Sequence, residues 1–339
     1  MQNVKRILII KPSSFGDIIH LFPTLQLLKE RLPGVTADFL IHPAFAPLLD
    51  FSPLPIRRKI LFDRSALGKV TTFGKAAIAL LRELRQEKYD LVIDYQGLFR
   101  SGLCAGLSKA KIKAGAAAPR EKGAKWFYNR RTASTAAHAV ERYVRMTEAL
   151  FHWQKGEVPT PELPRSAAGA ANLPELPERY IVLLPGTRWE SKRFPPSLFR
   201  AITDELRRRD PGISFVAAGS SSEAAIAGEI GGDIINLAGK TTLPGLLELL
   251  RASCGVIGND SGPLHAAAAL QKPVIGFYGP TDPALTGPWG DTAAAIYADA
   301  RCRGCLKRVC PLPETLCHQL DVNYICDTLC NQISKEDKL

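Results

Sequence analysis

The stretch VKRILIIKPSSFGD, residues 4–17, decides the fold class of this chain. Its first part, Val4–Ile10, is an unbroken apolar run rich in β-branched residues, which is typical of a strand buried on both faces of a parallel sheet. A polar loop, Lys11–Gly16, follows it. The apolar periodicity of Ile18–Leu32 then predicts a helix that ends at Pro33-Gly34. Strand, loop and helix in this order predict an α/β fold.

The same alternation continues along the chain. Further strands are predicted at Thr36–Ile41, Asp90–Tyr95, Tyr180–Leu184, Ser214–Ala218, Ile235–Leu237, Gly255–Gly258 and Val274–Tyr278. Further helices are predicted at Phe73–Gln86, Leu198–Arg209, Glu223–Ile230, Leu243–Ala252 and Pro263–Leu270. We therefore expect two Rossmann-like, doubly wound parallel-sheet domains that face a central ligand-binding cleft.

A proline-rich stretch separates the two series of elements. Five prolines between residues 156 and 178 remove backbone donors and prevent regular structure there. We expect an N-terminal domain over 1–160, a linker over 161–178 and a C-terminal domain over 179–320. A helical tail is expected over 321–339.

Composition limits the class of protein. No run of roughly 18 apolar residues occurs, so no membrane-spanning helix is predicted. The apolar stretch Ile7–Ile10 is too short for the core of a signal peptide, so we expect a cytoplasmic protein. Residues 1–165 contain 27 Lys and Arg against 14 Asp and Glu, whereas residues 166–339 contain 17 against 19. This asymmetry favours an anionic partner for the first half, namely a nucleic acid, an anionic membrane surface or a phosphorylated substrate. Simple colloidal solubility is the alternative.

Six of the eight cysteines lie in the last 38 residues of the chain. Structural disulfides are not expected in a reducing compartment. The spacing of Cys302, Cys305, Cys310 and Cys317 is compatible with a zinc or iron–sulfur ligand set, but it matches no regular zinc finger. We favour buried or free thiols and expect no metal site.

Two loops that follow strands carry candidate chemistry. Asp17 comes just before the first helix, where a carboxylate either caps the helix or serves as a general base. Its loop lacks the glycine pattern of dinucleotide-binding and P-loop proteins, which argues against a dehydrogenase. After the first strand of the second half, Thr187 and Lys192 lie in a loop that either holds phosphate oxygens or is an ordinary solvated basic loop.

Two further loops of the second half have the same position relative to their strands. Glu223 opens a helix, where it either accepts hydrogen bonds from ribose hydroxyls or completes a capping box. The turn Asp260-Ser261-Gly262 precedes a helix with Pro263 expected at its first position, and His265 lies in the first turn. Backbone amides and the helix dipole at this turn predict an anion-binding site, with Asp260 placed to bind hydroxyls.

These motifs resemble those of glycosyltransferase family 9, the ADP-heptose-dependent lipopolysaccharide heptosyltransferases, and most closely the heptosyltransferase I type. The resemblance covers residues 4–290 in order. It rests on Ile7–His20, Tyr89–Leu98, His138–Arg142, the Thr187–Lys192 loop, Asp260–His265 and Tyr278–Pro283.

The resemblance implies a GT-B fold, an inverting mechanism without an obligatory metal or other cofactor, and ADP-heptose as the donor. It implies that Asp17 is the base that deprotonates the acceptor hydroxyl and that Lys192 stabilises charge on the leaving group. It also implies donor contacts from Thr187, Glu223, Asp260, Ser261, Gly262 and His265. Independently, the charge that develops on a leaving diphosphate explains why fixed donors and a cation are needed there.

The expected acceptor is Kdo–lipid A or a heptose-bearing inner core, which leaves the type I, II and III reactions open. We assign acceptor contacts to Ser13, Ser14, Gly16, Gln96, Arg100, Arg120 and Arg142. Residues 100–131 contain nine basic residues and one acid. We expect the contacts to Kdo carboxylates and lipid phosphates to be among Arg100, Lys109, Lys111, Lys113, Arg120 and Lys122. Peripheral contact with the inner leaflet follows from this charge.

A nucleic-acid partner is disfavoured, because exposed aromatics are not interleaved with the basic residues beyond residues 126–128 and no known nucleic-acid module occurs. Two other functions stay open at this point. One is a GT-B transferase with another nucleotide sugar or acceptor, and the other is a catalytically silent nucleotide-sugar-binding protein. Asp17 and Lys192 together argue against the silent protein.

Overall fold

The computed structural model describes residues 4–165, 173–312 and 315–336. The chain divides into two compact units, Met1–Pro164 and Arg165–Leu339. Seven of the eighteen residues of the expected linker, 166–172, lie outside the described residues.

The N-terminal unit is built on a six-stranded parallel sheet of order β3-β2-β1-β4-β5-β6. Its strands are β1 (Arg6–Ile10), β2 (Thr36–Ile41), β3 (Ile56–Leu61), β4 (Lys88–Asp94), β5 (Lys109–Ala116) and β6 (Arg130–Thr132). Its helices are α1 (Phe15–Ile19), α2 (Phe22–Arg31), α3 (Arg64–Leu67), α4 (Val70–Gln86), α5 (Phe99–Leu107) and α6 (Ala139–Phe151).

The first strand is buried because it lies inside the sheet. Residues 7–10 of β1 have no exposed surface, and they pair with Ala37–Leu40 on one side and Leu91–Asp94 on the other. The loops after β1 and β4 therefore leave the sheet at the same edge, which is the usual location of ligand sites in such folds.

The helix predicted over Ile18–Leu32 is wrong as a single element, because two helices, α1 and α2, occupy this stretch. Pro23 lies at the start of α2 and has no N–H to continue an α-helical ladder from α1. The first helix begins at Phe15, three residues before the predicted start, so the loop after β1 is short.

The C-terminal unit repeats the architecture with the strand order β12-β11-β10-β7-β8-β9, again all parallel. Its strands are β7 (Tyr180–Leu184), β8 (Ser214–Ala217), β9 (Ile234–Asn236), β10 (Gly255–Asn259), β11 (Val274–Phe277) and β12 (Ala293–Ile296). Its helices are α7 (Pro196–Arg209), α8 (Ala224–Glu229), α9 (Leu243–Ala252), α10 (Gly262–Ala269), α11 (Pro283–Thr286) and α12 (Val322–Glu336). The expected α/β class with two doubly wound parallel sheets is confirmed.

The last helix belongs to the core of the C-terminal unit rather than to a separate tail. Ile325, Cys326 and Leu329 of α12 are fully buried in the same apolar cluster as Phe199 and Ile202 of α7. The helix packs directly on α7. The predicted boundary at residue 320 therefore cuts through one packed layer, and one of the six clustered cysteines, Cys326, is a core side chain.

None of the described helices is both long enough and apolar enough to cross a bilayer. This finding agrees with the absence of a long apolar run from the sequence.

Truncation of one side chain tests the placement of α12. Leu329→Ala should lower the free energy of unfolding by about 2–5 kcal/mol, because it removes a fully buried side chain from a packed core. Tyr324→Ala on the same helix is the control, since Tyr324 is 59% exposed, and it should change stability by less than about 0.5 kcal/mol. Urea unfolding measures both, and equal effects would contradict this packing.

Candidate active site

The loop after β1 holds Asp17 in a reciprocal cap at the start of α1. Ser14 is the N-cap residue, and Asp17 Oδ2 accepts hydrogen bonds from the Ser14 amide at 2.9 Å and from Ser14 Oγ at 2.7 Å. The Asp17 side chain nevertheless keeps 35% of its surface exposed. Capping and accessibility therefore occur together at this residue.

A buried lysine lies behind this carboxylate. Lys11 is 2% exposed, and its Nζ donates to Tyr143 Oη at 2.9 Å and to the Tyr95 carbonyl at 3.4 Å. It also lies 3.6 Å from Asp17 Oδ1. Burial by itself would raise the pKa of Asp17, but the charge of Lys11 and the hydrogen bonds from Ser14 outweigh it and hold that pKa well below its usual range. The carboxylate is thus ionised at neutral pH.

The loop after β4 meets the loop after β1. Gln96 Oε1 accepts from the Ser13 amide at 3.3 Å. Buried Asp94 shapes this second loop by accepting from the amides of Gln96 and Gly97 and from the hydroxyls of Ser101 and Tyr128. The structure therefore brings together four of the residues assigned to the acceptor, which are Ser13, Ser14, Gly16 and Gln96.

Three predicted arginines follow the carboxyl ends of neighbouring strands. Arg100 lies in the first turn of α5 after β4, Arg120 in the loop after β5, and Arg142 in the first turn of α6 after β6. Arg142 donates to the Ala137 carbonyl at 2.9 Å. Arg100 and Arg120 are exposed. All three lie toward the sheet edge that carries Asp17.

The larger basic set does not form one cluster. Lys109 begins β5 opposite Lys88, at the amino edge of the sheet, and Lys111 follows it on the same strand. Lys113 donates to the Gly106 carbonyl. Only Arg100, Arg120 and Lys122 of the six predicted residues come after the carboxyl ends of strands. These six residues are therefore spread over both edges of the sheet, and which of them contact the acceptor stays a prediction.

In the C-terminal unit, Asp260 is the centre of a hydrogen-bonded network. Its Oδ2 accepts from Lys192 Nζ at 2.6 Å and from Thr281 Oγ1 at 2.7 Å, and its Oδ1 lies 3.4 Å from His265 Nε2. Thr187 Oγ1 donates to its main-chain carbonyl at 3.1 Å. Burial would raise the pKa of Asp260, but His265 and Lys192 outweigh it, and the pKa lies well below its usual range.

This network lies at the N-terminus of α10. Ser261 is the N-cap residue, Gly262 is the first helical residue and Pro263 is the second, one position later than expected. The Ser261 hydroxyl is buried and has no hydrogen-bond partner among the described residues. A buried hydroxyl without a partner costs free energy unless a ligand or water satisfies it. Together with the helix dipole, the unpartnered hydroxyl is compatible with the predicted anion site at this turn, which stays a prediction.

Glu223 forms the capping box that the sequence allowed. Its Oε2 accepts from the Ser220 amide at 2.7 Å. Its carboxyl group lies against Gly186 and Gly219, and a Cβ at either glycine would overlap it. Glu223 therefore lies where the loops after β7 and β8 meet, and a ribose contact from this position stays a prediction.

Sequence reasoning missed what supports Lys192. Thr281 shares the Asp260 carboxylate with it, and the Trp189 ring centroid lies 4.6 Å from Lys192 Nζ. The neighbouring Ser191 is bound by the cysteine-rich loop, as we call residues 302–312 and 315–318. Its Oγ donates to the Lys307 carbonyl, its amide donates to the Arg308 carbonyl, and its own carbonyl lies 3.0 Å from His318 Nε2. The cysteine-rich loop thus holds the lysine loop in place.

The cysteines of this loop carry free thiols, and buried Cys317 packs on Gly279. Across residues 4–165, 173–312 and 315–336, no three His, Cys, Asp or Glu side chains are arranged to hold a metal ion.

Comparison with known proteins gives a consistent family. The model of glycosyltransferase family 9 (heptosyltransferase) matches residues 77–316. The chain is 31% identical over 333 residues to lipopolysaccharide heptosyltransferase 1 of Pseudomonas aeruginosa, covering 91% of this chain and 88% of the relative. It is 32% identical over 304 residues to lipopolysaccharide heptosyltransferase 1 of Escherichia coli K12, covering 84% and 91%.

A solved structure matches across both units. The E. coli heptosyltransferase WaaC with ADP superposes with a TM-score of 0.78 at 27% identity, covering 96% of this chain and 99% of that chain. The GT-B fold implied by the resemblance is therefore confirmed. With the family model and relatives above 30% identity, the chain belongs to glycosyltransferase family 9, the heptosyltransferases.

Proposed function

We propose that this chain transfers L-glycero-D-manno-heptose from ADP-heptose to the Kdo/heptose inner core of lipopolysaccharide, with inversion at the anomeric carbon. The observation that carries the proposal is the Lys192–Asp260–Thr281 network at the N-terminus of α10, where the buried Ser261 hydroxyl lacks a partner. A similar structure is described with ADP-2-deoxy-2-fluoro heptose bound, which supports the choice of donor.

In this proposal the C-terminal unit binds the donor. Lys192 supplies a positive charge to the diphosphate, and Thr187, Ser261, Gly262 and His265 supply hydrogen-bonding groups from a turn that also bears the helix dipole. Ionised Asp260 only accepts hydrogen bonds, which suits the hydroxyls of a heptose. Glu223 is proposed to accept from the ribose hydroxyls. Because these residues already provide positive charge and donors, the proposed reaction uses no metal.

The N-terminal unit is proposed to bind the acceptor and to supply the base. The acceptor oxygen forms a bond to the anomeric carbon while the bond from that carbon to the β-phosphate oxygen breaks. Asp17 takes the acceptor proton, and ADP leaves with the bonding electron pair. Ser13, Ser14, Gly16 and Gln96 border Asp17, and Arg100, Arg120 and Arg142 supply positive charge for Kdo carboxylates and lipid phosphates.

The low pKa of Asp17 constrains this mechanism. A general base is most effective when its pKa is near the working pH. The ground state of Asp17 is stabilised by Lys11 and by two hydrogen bonds from Ser14. We expect the acceptor hydroxyl to donate a hydrogen bond to Asp17 in place of one from Ser14. The proton of this hydroxyl then moves to Asp17 only as the oxocarbenium-like transition state develops.

The acceptor is lipid-linked in this proposal, so we propose that the protein works at the cytoplasmic face of the inner membrane in peripheral contact with the leaflet.

Two other functions are distinguishable by experiment. A family 9 protein with another nucleotide sugar shares the same network, and a silent nucleotide-sugar-binding protein shares it without needing Asp17.

A donor screen tests the proposal directly. Purified protein is offered ADP-heptose, GDP-sugars and UDP-sugars with Kdo–lipid A or heptosyl-Kdo–lipid A, and product is detected by mass spectrometry. We expect turnover with ADP-heptose only, and the acceptor used identifies the step. Turnover with a GDP- or UDP-sugar alone would replace the donor assignment, and ADP binding without any turnover would favour the silent protein.

Removal of the base separates chemistry from donor binding. Asp17→Asn should lower kcat by about 10²–10⁴-fold, which is the usual contribution of general base catalysis, while the Kd for ADP stays within about twofold. Lys192→Met is the comparison. It should weaken ADP binding and lower kcat by about 10²–10³-fold, because it removes a cation from the leaving group. Wild-type turnover in Asp17→Asn would remove that residue from the mechanism.

Removal of the buried cation behind Asp17 should change the pH dependence. Lys11→Met keeps the length of the side chain but removes the charge that lowers the pKa of Asp17. That pKa then rises, because the strongest of the interactions that oppose the effect of burial is lost. The acid limb of the kcat/KM profile therefore moves to higher pH. Lys29→Met, at an exposed ion pair with Glu162, is the control and should leave the limb in place. If the acid limbs of both variants and of the wild type lay at the same pH, this result would contradict the electrostatic role of Lys11.

A further inference from the structure

An arginine of the cysteine-rich loop lies beside the lysine of the proposed donor site. The guanidinium carbon of Arg308 is 5.6 Å from the centroid of the Trp189 ring, and Lys192 Nζ is 4.6 Å from the centroid of the same ring. Both distances are typical of a cation over an aromatic ring. The two cations are therefore separated by no more than the sum of these distances.

The main chain holds Arg308 in this position. Its carbonyl accepts a hydrogen bond from the Ser191 amide at 3.1 Å, and the carbonyl of Lys307 accepts one from Ser191 Oγ. Ser191 directly precedes Lys192 in the chain. Because these bonds use main-chain carbonyls of the cysteine-rich loop, they do not depend on which side chain stands at position 308.

The two cations differ in what neutralises them. Lys192 forms an ion pair with Asp260 at 2.6 Å, and this pair has no net charge. Arg308 is exposed, and in the part of the chain that the structure describes its guanidinium makes no hydrogen bond or ion pair. A contact with an aromatic ring leaves the charge of an arginine unchanged. Arg308 therefore contributes net positive charge beside the Lys192–Asp260 pair.

A diphosphate leaving group needs such a charge. It gains negative charge as its bond to the sugar breaks, so a cation without a carboxylate partner stabilises the transition state more than the ground state. An arginine suits this role because its planar guanidinium can donate two parallel hydrogen bonds to a phosphate. One diphosphate can contact both Lys192 and Arg308, because each charge-assisted hydrogen bond adds about 2.8 Å to its reach.

We propose that Arg308 binds the diphosphate of the donor as a second cation beside Lys192, with the Trp189 ring holding both side chains. Arg308 takes no proton in the reaction. It stabilises ADP as the bond from the anomeric carbon to the β-phosphate oxygen breaks. This inference rests on the proposed function for the choice of a diphosphate donor, and it does not depend on the acceptor or on Asp17.

Nucleotide binding tests the contact without turnover. ADP and adenosine are each titrated into the full chain by calorimetry. Arg308→Gln should raise the Kd for ADP by about tenfold, which is the usual loss when a charge-assisted hydrogen bond is removed. The Kd for adenosine, which has no phosphate, should stay within about twofold. An equal loss for adenosine would overturn the proposal, because Arg308 would then act on the nucleoside part or on the fold.

A matched control is available on the same loop. Arg303 is also an exposed arginine, and its guanidinium carbon lies 4.2 Å from the centroid of the Tyr297 ring. Tyr297 directly follows β12, and two strands separate β12 from β7 in the sheet. Arg303→Gln removes the same charge from the loop and should bind ADP as the wild type does. Equal losses in the two glutamine variants would overturn the proposal, because they would indicate a general effect of loop charge.

Replacement of the ring tests whether it positions the arginine. Trp189→Leu should itself weaken ADP binding, since both cations lose the ring that they share. In that background, Arg308→Gln should raise the Kd for ADP by less than about threefold, because two residues that act together have non-additive effects. A full tenfold loss in the Trp189→Leu background would overturn the positioning role of the ring.

Turnover separates this inference from the proposed function. With ADP-heptose and an acceptor, Arg308→Gln should lower kcat by at least about tenfold, because charge on the leaving group is no longer stabilised. A wild type that binds ADP but transfers no heptose would defeat the proposed function, while the contrast between Arg308→Gln and Arg303→Gln would still decide the role of Arg308. Heptose transfer by the wild type, with equal ADP affinity in both variants, would defeat this inference alone.

Discussion

Each unit depends on one lysine held against one aspartate at the carboxyl edge of a parallel sheet. Lys11 lies 3.6 Å from Asp17, and Lys192 lies 2.6 Å from Asp260. Either charge alone would be expensive to bury, and the pair lowers that cost. Both carboxylates are kept ionised by their partners, so at neutral pH both act only as hydrogen-bond acceptors. The lysines differ in what else they contact, since Lys11 is enclosed by protein whereas Lys192 lies beside the turn that begins α10.

Eight of the twelve strands in the described part of the chain were predicted, because their burial follows from local composition. The other four, β3, β5, β6 and β12, were not predicted, and most of their residues are partly or fully exposed. Thr36–Ile41 and Tyr180–Leu184 have the predicted bounds, as does α9 at Leu243–Ala252. Local sequence patterns also predicted the turn before α10, and they allowed the capping box at Glu223. The long-range contacts could not be predicted in the same way. Tyr143 is 132 residues from the Lys11 that it binds, and no local pattern connects them. Thr281 is likewise separated from Asp260 by a strand and a helix.

Charge counts over a segment were a poor guide to where the charges lie. The basic run after residue 100 crosses a helix, a strand and a loop, so its members point to both edges of the sheet. The cysteines are also clustered in sequence without sharing one role. In the structure Cys326 fills the core under α12, whereas the loop around Cys317 supports Ser191. A cluster in sequence becomes a site only where the backbone brings the side chains together.

The cysteine-rich loop also supports the site proposed to bind the donor. Ser191 is held by backbone carbonyls of residues 307 and 308 and by His318, and Lys192 is the next residue. The same loop bonds to Gly279 and Pro280, which directly precede Thr281. The cysteine-rich loop therefore positions both Lys192 and Thr281, the two groups that share Asp260 Oδ2. A transition state that must be met by preorganised donors requires this kind of fixation, because a lysine free to move would reorganise during the reaction and lose much of its stabilising effect.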